Sequence, residues 1–134
     1  PWCGEAHKAW PTRLADALER LAKYAPDDND LLCRLLELGD EFGAYRVPLV
    51  ELRIMLERDL QEIAEDMKIK VGGKDGLNSL FQKIRDHDFR SWTLYVDEVR
   101  RICNSAAHPR GHIARAEFTR ALDSYCLFCE ALEA

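Results

Sequence analysis

A chain of 134 residues, 47% hydrophobic and 32% charged, is long enough for one domain and too short for two ordinary ones. Those proportions exclude a disordered chain, and no apolar run approaches the roughly 20 residues that span a bilayer. Nineteen Lys and Arg against 24 Asp and Glu give a net charge of −5, which excludes a bulk binder of nucleic acid or anionic membrane.

Helical spacing runs nearly end to end, and no stretch alternates with period two. Pro11 and Thr12 open a first helix whose Leu14, Ala17, Leu18 and Leu21 share one face. Ala25, Pro26 and the run Asp27-Asp28-Asn29-Asp30 break it and offer N-caps to a second helix from about Leu31 to Phe42. Leu32, Leu35, Leu36 and Leu38 are its apolar set, and Gly43 ends it. Pro48 suits the first turn of a third helix reaching about Met67, along which Leu49, Leu52, Leu56, Leu60 and Ile63 step by three and four. The Gly-rich run at residues 71–76 lacks the glycine spacing and the hydroxyl of a phosphate-cradling loop, so it reads as a helix-to-helix connection. A short helix, Leu77 to Arg85, follows. Asp88 then caps a helix from Phe89 to about Ala107, ended by Pro109 and Gly111. The last helix runs from about Ile113 to Leu132, with Phe118, Leu122, Tyr125 and Cys129 in step. The expectation is all-α, a bundle of five to six helices in a single domain over 1–134, with residues 1–30 as an N-terminal helical extension and 31–134 as the core bundle.

The net charge hides a split. Residues 27–66 hold twelve acids and four basic residues, whereas residues 67–120 hold eleven basic residues and six acids. A local anion site in the second half is therefore open, although charges that merely solvate helix faces give the same asymmetry. Five cysteines make an odd count with no framework, and three fall at apolar helical positions, which predicts a reducing, cytoplasmic setting. Cys126 and Cys129 have zinc-ligand spacing, and Cys3 with His7 would complete a set. Leu127 and Phe128 between them read as ordinary apolar helix, so buried thiols and no metal or cofactor are expected. His87 lies between Asp86 and Asp88 like a metal half-site, but at a helix start, where acids serve as caps. Trp2, Trp10 and Trp92 read as packing residues. No basic region followed by an apolar stretch opens the chain, and it begins at Pro1 rather than Met, as an excised domain would.

On the fifth helix Phe89, Trp92, Val96, Val99, Cys103 and Ala106 form one buried stripe. At about 100° per residue, Arg101, Asn104 and His108 fall within about 60° of one another, roughly opposite that stripe. Histidine shuttles a proton near neutral pH, arginine clamps phosphate, and an asparagine one turn away orients either. Arg100, Arg110, His112 and Arg115 thicken the positive field. A cationic last turn also suits the helix dipole without any catalytic role. Arg53 and Glu57, one turn apart on the third helix, either orient these residues or form a plain surface ion pair.

Val96-Asp97-Glu98-Val99-Arg100-Arg101-Ile102-Cys103-Asn104-Ser105-Ala106-Ala107-His108-Pro109 resembles the signature helix of HEPN domains. These are α-helical proteins of toxins, defence systems and RNA-processing factors, with a motif of Arg, four to six residues, then His. The run from Pro48 to Glu57 is similar to the family's long helix, and Gly76 to Ile84 to the short segment between the two. The likeness covers about residues 32 to 132. It implies a HEPN-like bundle and a metal-independent endoribonuclease acting on single-stranded RNA. His108 would serve as general base or acid, Arg101 would stabilise charge at phosphorus, and Asn104 would position the phosphate or the imidazole. In the family two motifs meet across a homodimer. The commonest form has Arg directly before Asn, where this chain has Cys103. A catalytically inactive helical interaction module, docking a protein partner within a larger protein, is the alternative. The acids of residues 27–66 and Cys103 favour it.

Overall fold

The computed structural model describes residues 11–38, 45–88, 90–106 and 113–133. Among them are six helices and no strand: α1 (Thr12–Tyr24), α2 (Pro26–Leu38), α3 (Arg46–Asp66), α4 (Leu77–His87), α5 (Thr93–Ala106) and α6 (Arg115–Glu133). The all-α bundle that the periodicity predicts is what forms.

α6 is the central helix, packed against α5, α1 and α3. Phe118, Ala121, Leu122, Tyr125, Cys126 and Phe128 are all buried, so its apolar surface is wider than the single stripe that sequence spacing suggests. Trp92 meets Phe128 edge-on at 5.4 Å, which uses that tryptophan as packing. α1 lies within the bundle, with Leu14, Ala17, Leu18 and Leu21 each at 1% exposure or less. Arg20 pairs with Glu130 at 2.7 Å and Arg13 reaches Asp123 at 3.9 Å. Cys126 Sγ lies 3.5 Å from the Ala17 carbonyl oxygen. These pairs advance together along both helices, so α1 and α6 run parallel. Asn29, fully buried, donates from Nδ2 to the Leu18 carbonyl at 2.6 Å and ties α2 to α1.

Among the described residues, helix boundaries agree with the sequence expectation to within about two residues except at the starts of α2 and α5. α2 begins at Pro26, five residues before Leu31, because a proline is suited to the first helical position and Asp27 and Asp28 favour the positive end of the helix. Asp27 and Asp28, read as caps, are therefore inside the first turn. α5 begins at Thr93, not Phe89. Asp88 does not cap it, because Asp88 has extended backbone at the end of α4 and its carboxylate pairs with Arg90 at 2.6 Å. Thr93 instead donates its backbone N–H to the Arg90 carbonyl at 3.0 Å, and its hydroxyl bonds the same oxygen.

Candidate functional site

The polar face of α5 is organised by one carboxylate. Asp97 accepts from Arg100 Nε at 3.0 Å through Oδ1 and from Arg101 Nε at 2.9 Å through Oδ2. Burial pushes the Asp97 carboxyl up, but the hydrogen bonds from both guanidinium groups outweigh it and hold the group below the usual carboxylate range. The two arginines then diverge. Arg100 turns toward α4, where its guanidinium carbon sits 5.1 Å from the Phe81 ring centroid and Nη1 lies 3.3 Å from Asn78 Oδ1. Arg101 turns outward, with a side chain 67% exposed against 26% for Arg100.

Asn104 donates from Nδ2 to the same Asn78 oxygen at 3.1 Å. Asn104 is half-buried at the edge of the α4 contact, whereas Arg101 faces solvent. His108, with Ala107, Pro109, Arg110 and His112, lies outside the described residues, as do Phe89, Cys3, His7, Trp2 and Trp10. Sequence reasoning passed over Asp97 and Asn78. The three- and four-residue steps from Asp97 to its arginines carry a signal for the first. No local signal marks Asn78, whose partners are 22 and 26 residues away.

α3 supplies the floor beside this cluster. Arg53 Nε donates to Glu57 Oε1 at 3.1 Å, and the same oxygen accepts the Leu77 backbone N–H at 3.2 Å. Glu57 thereby satisfies a free donor at the N-terminus of α4, immediately before Asn78. The pair is half-buried and joined to a second element, which is more than a surface ion pair does. Burial pushes the Cys103 thiol up to about 12, with the charge of Arg53 pulling the other way.

The other features flagged in the sequence have structural partners. In the Gly-rich connection Asp75 accepts from Lys83 Nζ at 2.8 Å, Ser79 Oγ at 2.6 Å and the Gly72 backbone N–H at 2.7 Å. The lysine, the serine and the backbone donor hold its carboxyl well below the usual range. Burial pushes the Cys126 and Cys129 thiols up to about 12, so both are neutral near pH 7. Cys33 is disulfide-bonded, whereas Cys103, Cys126 and Cys129 are free thiols. His87 is exposed at the end of α4. Among the described residues no group of three or more His, Cys, Asp or Glu side chains is placed to hold a metal ion, and no helix is long and apolar enough to cross a membrane.

Comparison with protein-family models, with curated proteins and with solved structures gives no match to this chain.

Proposed function

We propose that this chain is a HEPN-like domain that cleaves single-stranded RNA without a metal, in an RNA-processing, toxin or defence setting, and that it acts as a homodimer. The observation that supports the assignment most is the division of labour between the two arginines on α5. Arg100 is engaged by Asn78, Asp97 and the Phe81 ring, which leaves Arg101 as the outward guanidinium of the two, seven residues before His108 in the sequence.

His108 takes the proton from a ribose 2′-hydroxyl, the 2′-oxygen bonds to phosphorus, and the bond to the leaving 5′-oxygen breaks as that oxygen gains a proton. Arg101 stabilises the negative charge that grows on the non-bridging oxygens. Asn104, anchored on Asn78, positions the phosphate, and Arg53 with Glu57 fixes the α3–α4 floor beneath it. One motif supplies a single histidine for two proton transfers, so a second copy completes the acid–base pair.

The test is cleavage of single-stranded RNA with EDTA present. His108→Ala should lower the rate by about 10²–10⁴-fold and Arg101→Ala by about 10²–10³-fold. Arg100→Ala should cost less, since its role is to position. No cleavage by the wild-type chain, or cleavage unchanged by His108→Ala, contradicts the proposal.

A second reading keeps the fold and docks a protein partner without catalysis. It is favoured by Val47, Val50 and Ile54, which are 57%, 49% and 51% exposed and form an apolar stripe along α3.

A further inference from the structure

α2 and α3 share one outer face. α2 ends at Leu38 and α3 begins at Arg46, while Asp28 pairs with Arg58 at 2.7 Å near their other ends, so the two helices run antiparallel. One turn along each helix from that pair, Leu31 and Ile54 come level, and both are exposed. Val50 and Val47 continue from Ile54 at steps of four and three, so the exposed apolar strip follows α3 for two turns, about 10 Å. A helix lying in such a strip sets its anchors down at i, i+4 and i+7 over the same length.

The charge around the strip has one sign. Residues 27–66, which include both helices, hold twelve acids against four arginines. Pairing inside the chain removes acids and bases in equal number, as Arg58 does with Asp28 and Arg53 with Glu57, so the excess stays acidic. Asp30 and Glu37 on α2 and Glu62 on α3 are exposed, Glu51 sits beside Val50, and Arg34 is the single base of α2. An apolar strip edged with surplus carboxylates complements an apolar stripe edged with ammonium or guanidinium groups.

We infer that this face docks a basic amphipathic helix of a partner protein. Its apolar anchors rest on Leu31, Val47, Val50 and Ile54, and its basic side chains meet Glu51 and Glu62. A partner seated there excludes a second copy from the same strip, so docking and pairing through α3 are alternatives. The inference deepens the docking reading and rests on its apolar stripe, not on the absence of catalysis.

The probe is an amidated peptide of about 18 residues with leucine along one face and lysine elsewhere, and the control carries glutamate for lysine. Followed by amide chemical shifts, Leu31, Val47, Val50, Glu51 and Ile54 should move saturably with the lysine peptide and not with the glutamate peptide. Ile54→Ser should weaken binding by roughly tenfold with helicity unchanged, because Ile54 is exposed. Glu51→Lys should weaken it by roughly threefold at low ionic strength and less in high salt, and should strengthen binding of the glutamate peptide. Equal binding of the two peptides, shifts confined to other helices, or amides here that move with the chain's own concentration and not with peptide overturn the inference. RNA cleavage that His108→Ala abolishes would end the non-catalytic reading and leave these shifts in place, so the two failures are separable.

Discussion

Cys103 is 4% exposed in the apolar stripe of α5, within the electrostatic reach of Arg53 on α3. A guanidinium at that position would enter the core beside Arg53, so the positive charge of α5 is carried at positions 100 and 101 instead. Elsewhere single carboxylates hold the molecule together. Asp75 closes the α3–α4 connection through three donors, and its depressed pKa makes its contribution pH-dependent with a definite sign. The contribution is complete above the unfolded value of about 3.9 and fades as pH falls below it. Asp75→Asn should therefore lower the melting temperature at pH 7, and the gap from wild type should narrow on acidification below about pH 4. Tyr125 is a second case. Its hydroxyl bonds Asp59, whose carboxyl is raised by burial despite that bond and the nearby Arg58. Removing the donor in Tyr125→Phe should cost about 1–3 kcal/mol in urea denaturation at pH 7.

Helix ends decide how the elements meet. α3 stops where Lys68 takes a left-handed conformation with φ of 59°. The Ile69 N–H then returns to the Ala64 carbonyl at 2.9 Å and the Lys68 N–H to that of Glu65 at 3.0 Å. Glycine is the residue favoured for this end, so Lys68→Gly should raise stability by about 0.5–1 kcal/mol, measured by thermal unfolding. The interiors of these helices were legible because three-and-four spacing depends on local sequence alone: Leu49, Leu52, Leu56 and Leu60 are all buried as the pattern requires. The ends were less so. An Asp run is equally a cap and a first turn, and only the packing of Asn29 against Leu18 places residues 27–30 inside α2. The same limit holds at the candidate site. Arg101 and Asn104 share a sequence-readable arc, but the oxygen on which Asn104 and Arg100 converge belongs to α4, and no local pattern reports it.

At the scale of the whole molecule the proposed site is half of a catalytic unit, and α3 carries a surface suited to join two halves. Val50 precedes Arg53 by three residues and Ile54 precedes Glu57 by three, so a second copy seated there would pack beside that pair. Sedimentation at micromolar concentration should show a dimer that Ile54→Glu dissociates without lowering helicity, because Ile54 is half exposed in the single chain. A monomer throughout that range moves the weight to the docking module. The central claim, metal-free attack by a ribose hydroxyl, is tested most directly by the products from an oligoribonucleotide incubated in EDTA. The account predicts 2′,3′-cyclic phosphate and 5′-hydroxyl ends at every cut, and no cut at a nucleotide whose 2′-hydroxyl has been replaced by hydrogen. Cleavage at that deoxy position, or products ending in a 5′-phosphate, would contradict it.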